Sequence, residues 1–548
     1  MTPAAKAKRR GTTPSAGPAA RDADLISRLP DDVLLHILAL LPDARDAART
    51  DALLRRWRGL WARVPALRFS SRSCWPELRD PVDAGRYAAL VDAFLSRRAA
   101  AQQTEPIESL SILFDAGRMR GPEVEPAVPS SMARAATGWI RYAVQHAVRR
   151  FVLDQSGPWN GEDLFHMYPC YRRHVDEEAL LMDLEDLPSS IDLGTMHLRI
   201  TRARIRFPAT AVFASLTDLS LECIRIAAGS SHLFARFLSS KCCPRLLRLR
   251  IQDLRLMELR IEADTLVELT LEKLEKGCSL ELRTPILRTL RMIFRGSRPE
   301  MLRISAPRLE ELTFQKDDGP DHIVVDGELP FMENLTVYLR THGHSVEDDY
   351  NDVGIHLLQC CTSVRCLTLH LDTMRKHLQV VDKINGRIPH LPHVTSLTVR
   401  FRSFHMHPFG FGLDHILTQC TSLKHLCIQC YVIKPNYDSE SYSLCDHPNR
   451  WQSCILPLTH LQDVELRGLT ATDCDLWFMQ LLLASTTKLK KVNVSFDPEY
   501  MQSNTRDAFE LIPRLGGGAW TYCDNCCSYE WKPCMSGEHI SECDWAES

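Results

Sequence analysis

The chain has 548 residues, a formal net charge of −3 and 45% apolar residues, with a pI near 6.7. That length fits several compact domains or one long repeat array, and the balanced charge gives no electrostatic footprint for nucleic acid. No window approaches the apolar run of a membrane span and residues 1–20 lack a signal peptide's apolar core, so twenty cysteines imply reduced thiols in the cytoplasm or nucleus.

In chain order, residues 1–23 are rich in Ala, Pro, Gly, Ser and Thr and read as a disordered leader. Its Lys6, Lys8, Arg9 and Arg10 form either a nuclear-import patch or a solvated basic tail. Residues 24–68 are predicted to form a small helical hairpin. Leu29, Val33, Leu34, Ile37, Leu38 and Leu41 recur at helical spacing. Pro30 sits in the first turn, where no N–H is needed, and Asp31 and Asp32 complement the positive helix end. Pro42 closes that helix, Asp43 can cap the next, and a second helical run carries Leu53, Leu54, Trp57, Leu60 and Trp61 up to Pro65. A segment this small cannot bury so much apolar surface by itself, so one face is left for a partner.

Residues 69–106 form a linker with a helix over Ala84–Ala100, whose Tyr87, Leu90, Val91, Phe94 and Leu95 share one side and are expected to pack on the first repeats. From residue 107 one pattern recurs: apolar, two others, apolar, one other, apolar. Leu216/Leu219/Leu221, Leu246/Leu249/Ile251, Leu266/Leu269/Leu271 and Leu287/Leu290/Met292 are examples, and Leu489/Val492/Val494 is the last. First positions step by 20, 21, 22 and 23 residues between 246 and 332, then by about 28 to 38, which leaves room for a helix. The last two apolar positions point to one side of a short strand, and no single strand buries that side. Stacked repeats and a curved parallel sheet are therefore predicted. Gly117–Ser131 and Asp317–Gly327 read as loops.

Cys243, Cys361 and Cys420 each stand three residues before a repeat's first apolar position, which marks them as packing residues at a corner and not as redox or metal groups. Residues 501–548 read as a flexible tail. Its Cys523, Cys526, Cys527, Cys534 and Cys543, with His539, fit no standard zinc spacing, so no metal site is assigned. His342, His344, His405 and His407 are read as loop histidines. Gly516-Gly517-Gly518 lacks the lysine and hydroxyl of a phosphate loop, and no nucleophile-elbow motif occurs. The residues point to no catalytic group and no cofactor.

Leu29-Pro30-Asp31, Val33-Leu34, Ile37-Leu38, Leu41-Pro42 and the closing Arg49-Thr50, Leu53, Arg56-Trp57-Arg58 and Leu60-Trp61 resemble an F-box. Asp51 and Leu54 depart from the plant pattern, which has serines there; both are expected to be tolerable at exposed or partner-facing positions. Residues 107–455 resemble a leucine-rich-repeat array and residues 456–500 an FBD region, through Leu461-Gln462-Asp463-Val464-Glu465-Leu466 and Leu489-Lys490-Lys491-Val492. The array departs from the standard repeat at the asparagine or cysteine position, where Ile224, Leu274, Asp317, Arg340 and Asp372 stand. Irregular turns and uneven curvature are expected from that loss.

The resemblance implies an α/β fold: an N-terminal all-α F-box hairpin followed by an irregular leucine-rich-repeat solenoid with a curved parallel sheet. It also implies a plant F-box/leucine-rich-repeat protein, the non-catalytic substrate-recognition subunit of an SCF-type E3 ubiquitin ligase. Such a subunit binds an Skp-family adaptor and, through it, a cullin, and holds a target protein with the repeats. Leu29, Pro30, Val33, Leu34, Ile37, Leu38, Leu41, Pro42, Leu53, Trp57, Leu60 and Trp61 would meet the adaptor. A leucine-rich scaffold or sensor outside ubiquitin transfer is the alternative.

Side chains alternate along a strand, so the residue between the two inward positions faces away from the core. Those residues are Ser220, Arg250, Thr270, Arg291, Thr313, Thr336, Thr368, Thr398, Cys427, Glu465 and Asn493. The threonines with Arg250 and Arg291, and Arg400 further along, are read as a basic-polar strip for an acidic or phosphorylated segment of the target.

Overall fold

A computed structural model describes residues 29–53, 55–71, 81–101, 106–115, 130–156, 180–200, 203–274, 277–293, 299–315, 320–340, 342–343, 351–361, 363–373, 381–382, 384, 386–403, 412–432, 456–470, 473–497, 512, 515, 518–523 and 528–533. The leader, Leu54, His344, His405, His407, Cys526, Cys527, Cys534, Cys543 and His539 lie outside the described residues. Among the described residues the fold is mixed α/β, dominated by one sheet of seventeen strands. No helix among the described residues is long and apolar enough to cross a membrane.

The first helix, Asp31–Leu40, starts directly after Pro30, with Asp31 and Asp32 in its first turn. A second, Ala44–Arg49, is capped by Asp43, whose carboxylate accepts the Arg45 N–H at 2.9 Å. The same buried carboxylate pairs with the Arg45 side chain at 2.8 Å and accepts the Ser70 N–H at 3.0 Å. One side chain thus caps the helix and ties it to the first strand of the sheet.

The expected second helical run is absent as a continuous helix. Three short 3-10 turns replace it, Thr50–Ala52, Arg55–Trp57 and Leu60–Arg63. Gly59 adopts a left-handed φ of +77°, which ends any helical progression there. Asp51, expected to be a tolerated departure at an exposed or partner-facing site, holds the turns together. It accepts the Gly59 N–H and the Trp61 indole N–H, both at 2.9 Å.

The long helix Pro81–Ala100 joins this unit to the sheet. Phe94 meets Trp61 at 4.5 Å and Phe69 at 5.0 Å between ring centroids, while Tyr87 meets Phe114 at 5.7 Å and Trp139 at 6.5 Å. Arg98, almost fully buried, donates to the carbonyl of Val64 at 2.8 Å and to that of Trp61 at 3.4 Å. Packing of this kind makes the helix a wedge between the two parts.

The sheet begins at Ala66–Ser70, across the boundary expected between the hairpin and the linker, and that strand pairs in parallel with Ser109–Asp115. Each later repeat adds one parallel strand, through Arg150–Ser156 and Thr195–Ile200 to Lys491–Phe496. The central apolar motif position stays in register throughout: Leu219, Leu249, Leu269, Leu290, Leu312, Leu335, Leu367, Leu397, Leu426, Val464 and Val492 are successive partners. Those residues and their i+2 neighbours form the core.

Repeat length decides what covers the core on the other side. The short central repeats return through a second parallel sheet, Glu258–Glu262, Ser279–Arg283, Met301–Ser305 and His322–Val325. The last of these corrects the expectation of a loop over 317–327 at residues 322–325, whose ladder is continued by the Asp326 N–H donating to the Ile304 carbonyl at 2.8 Å; residues 317–319 lie outside the described residues. Longer repeats carry helices, among them Asp352–Cys360, Leu413–Gln419 and Asp473–Ser485. A Cβ on Gly354 would lie 2.7 Å from Leu339 Cδ2 and 2.9 Å from Val337 Cγ1, so only glycine lets its helix sit this low.

An apolar ladder stands where a standard repeat has asparagine. Cys223, Asp253 and Lys273 take φ near +55° (57°, 53° and 53°), and the following Ile224, Leu254 and Leu274 are buried. Lys273 Nζ meets Asp253 Oδ2 at 2.9 Å across two such turns. The tail expectation also needs correction. Gly518–Cys523 and Ser528–Pro533 form an antiparallel hairpin, and the latter strand pairs with Lys491–Phe496. Tyr529 and Trp531 turn inward from it at strand spacing.

Candidate functional site

Two surfaces carry the residues singled out from the sequence. The first is the outer face of the N-terminal helical unit. Asp31–Leu40 is apolar almost all round, and the fold buries Leu34 and Leu38. Val33 and Ile37 remain exposed at 36% and 37%, and Leu40, one turn further, at 70%. Leu53 is exposed at 62%, and Pro30 and Pro42 are exposed as well. Leu29 and Leu41 are half-buried and packed against the core.

This arrangement corrects part of the expected partner face. Leu34, Leu38, Trp57, Leu60 and Trp61 are core residues, because the 3-10 turns and the Pro81–Ala100 helix fold over them. Leu40 was missed. It completes the i, i+4, i+7 stripe with Val33 and Ile37, and that spacing was its only available signal. Arg56 borders the face, pairing with Asp31 at 3.0 Å and donating to the Leu29 carbonyl.

The second surface is the open face of the seventeen-stranded sheet. The predicted outward column is real: Ser220, Arg250, Thr270, Arg291, Thr313, Thr336, Thr368, Thr398, Cys427, Glu465 and Asn493 are successive register partners. Its electrostatics differ from expectation. Arg250 is paired with Glu272 at 3.0 Å and Arg291 with Glu311 at 3.3 Å. Arg248 pairs with Asp218, and Arg199 lies 3.7 Å from Glu222. The expected basic strip is therefore charge-compensated in these repeats, each arginine meeting a carboxylate supplied by a neighbouring strand. Thr313 is only 7% exposed and donates to Glu311 at 3.3 Å, so it is not the open contact point expected of it.

The field changes from Asn334 onward. Thr336, Thr368 and Thr398 stand side by side, half-buried. In the adjoining column Tyr338, His370, Arg400 and Gln429 are register partners. Tyr338 and His370 stack at 6.3 Å with an 18° interplanar angle. Arg400 Nε donates to Gln429 Oε1 at 3.1 Å. Burial, and secondarily the Arg400 charge, press the His370 pKa down to about 4, so the ring is neutral at ordinary pH. Beyond it, Arg467 pairs with Glu465 at 2.7 Å, and Lys491 with Glu530 at 3.0 Å beside a groove of about 350 Å³.

Cys243, Cys361 and Cys420 are fully buried at the corners before their strands. Burial pushes the thiols of Cys361 and Cys420 up to about 12. The Cys243 thiol is also raised, by its hydrogen bond with Cys242 and by burial, and it donates to the Phe237 carbonyl at 3.2 Å. These groups are protonated packing residues. Among the described residues, no three His, Cys, Asp or Glu side chains are grouped to hold a metal ion.

No family model matches the chain. It is similar to curated Arabidopsis thaliana proteins named for F-box, FBD and leucine-rich-repeat features. F-box/LRR-repeat protein 25 is 36% identical over 74 residues, which cover 14% of this chain and 29% of that protein. An FBD-associated F-box protein is 28% identical over 206 residues, covering 36% of this chain and 45% of its own length. Matched stretches span from 11% to 45% of the relatives' lengths.

Proposed function

We propose that this chain is the substrate-recognition subunit of an SCF-type E3 ubiquitin ligase. Its residues 24–68 act as an F-box hairpin, and its parallel-sheet repeats act as an irregular leucine-rich-repeat solenoid. The observation that carries this reading is the exposed Val33–Ile37–Leu40 stripe, on a helix opened by Leu29-Pro30-Asp31 and set on a buried tryptophan platform. An apolar stripe left uncovered on an otherwise well-packed unit marks a protein-binding face. The names of the Arabidopsis relatives support the same assignment.

The subunit breaks and forms no bonds itself and uses no cofactor. An Skp-family adaptor seats on the stripe and brings the cullin, while the sheet's open face retains a target near the charged ubiquitin donor. Holding the two together raises the target's effective concentration, which is the whole of its catalytic contribution. It works in the cytoplasm, the nucleus or both. Isolation of the tagged chain from plant cells with the proteasome blocked is expected to recover adaptor, cullin and ubiquitin-bearing proteins together. Recovery of the folded chain with none of them would return the protein to the scaffold class.

A further inference from the structure

We propose that the open face across Asn334–Arg340, Cys366–Thr373, Ser396–Ser403 and His425–Val432 seats an extended segment of the target, with one aspartate or glutamate carboxylate received by Arg400. The proposal rests on the reading of the repeats as the target-holding part.

Arg400 differs from four other arginines of this face. Arg248, Arg250, Arg291 and Arg467 on the same face each meet a carboxylate. Arg400 meets none among the described residues; its Nε is spent on the neutral amide of Gln429. The two terminal nitrogens of the guanidinium are left to present a fork that matches a carboxylate. Half-burial in the sheet strips competing water and strengthens such a pair relative to an exposed one.

The floor around it is built for contact. These strands run seven or eight residues, against five in Thr289–Ile293 and Glu311–Gln315, so an additional outward column is available here. Four strands at about 4.8 Å spacing give a floor roughly 14 Å across. The hydroxyls of Thr336, Thr368 and Thr398 make no hydrogen bond to described residues, although each stands at the surface of the sheet. His370 Nε2 is shut off from water and has no partner there either. Tyr431 is 57% exposed and its hydroxyl donates to Gln429 Oε1 at 3.3 Å, which ties it to the Arg400 contact. Tyrosine and arginine over a polar, half-buried floor match the residue types enriched in binding hot spots.

The charge count selects the ligand. Within its own column Arg400 stands among Tyr338, His370 and Gln429, and the single charge of its guanidinium is satisfied by one carboxylate. A phosphate dianion needs a second cation; the next arginine in the column, Arg467, is already held by Glu465, and in the adjoining column Arg340 and Arg402 stand on either side of Asp372 in the register.

The test uses the purified full chain on an array of immobilised twelve-residue peptides of randomised sequence, with the central position fixed as Asp, Glu, Asn, Gln or phosphoserine. The wild-type chain is expected to retain Asp and Glu peptides at least about tenfold over Asn and Gln. That preference disappears in Arg400→Gln, survives in part in Arg400→Lys, and is unchanged in Arg291→Gln, with all variants melting with the wild type. No acidic preference in the wild type, or one that persists in Arg400→Gln, would overturn the proposal. A preference for phosphoserine over Asp and Glu would overturn the carboxylate assignment in favour of a phosphorylated target. The same preparations are titrated with an Skp-family adaptor. Adaptor binding without acidic preference defeats the peptide site alone, whereas acidic preference without adaptor binding supports the site and defeats the ligase reading.

Discussion

His370 shows how one residue's surroundings become a measurable property of the whole. Its folded-state pKa of about 4 lies below the ordinary value of 6.5, so the unfolded chain binds more protons between those two values. Stability contributed by keeping the ring neutral is therefore fully present above about pH 6.5 and is lost as pH falls from there toward 4. The size is about 3 kcal/mol at one pKa unit per 1.36 kcal/mol. His370→Phe keeps an aromatic ring for Tyr338 and removes the titration. Urea midpoints measured between pH 7 and pH 4.5 are expected to fall less steeply for the variant than for the wild type; identical slopes would show that His370 does not set this dependence. Residues of this kind were not legible in the sequence. Arg250 and Arg291 looked like a free basic pair because their partners Glu272 and Glu311 lie in other repeats, about twenty residues away, and only the strand register brings them together. Asp51 looked like a harmless replacement until the turns placed Gly59 and Trp61 on it.

Among the elements, the first helix is the one whose phase decides the functional reading. The stretch Val33, Leu34, Leu35, Ile37, Leu38, Leu40 has apolar residues on nearly every side, so periodicity identified a helix without choosing which stripe lies inside. Tertiary packing made that choice by burying Leu34 and Leu38. Leu34→Ala is expected to destabilise the protein by about 2–5 kcal/mol, as a cavity in a packed core does. Val33→Ala is expected to stay within about 0.5 kcal/mol of the wild type, as surface changes do. Thermal melts of the two single variants check this, and equal losses would mean that Val33 is also covered in the free protein. Strands were the most legible elements, since their apolar alternation fixes register as well as identity. The 3-10 turns were the least legible, because their apolar spacing mimics a helix and only the left-handed Gly59 betrays the break.

For the molecule as a whole, a sheet grown by repetition has two ends, and each carries an added element here. Asp43, Arg98 and the Pro81–Ala100 helix fix the helical unit beside the first strand. The hairpin of Gly518–Cys523 and Ser528–Pro533 covers the last. An uncovered terminal strand presents unpaired backbone groups to other chains. Ending the chain after Asp497 is therefore expected to leave a protein that self-associates, seen by light scattering, while the full chain remains monodisperse at the same concentration. A monodisperse truncated chain would make the hairpin dispensable. The sequence hides this cap because the alternating Trp520, Tyr522, Tyr529 and Trp531 sit among cysteines and polar residues whose composition matches a flexible tail.

The claim that the helical unit is an adaptor-binding module is tested most directly by calorimetric titration of the purified full chain with an Skp-family adaptor, using the wild type and the Val33→Asp/Ile37→Asp variant. A one-to-one complex is expected for the wild type and at least about tenfold weaker binding for the variant, equivalent to roughly 1.4 kcal/mol, with its melting temperature unchanged. A wild-type chain that does not bind the adaptor, or a folded variant that binds it equally well, would contradict the claim.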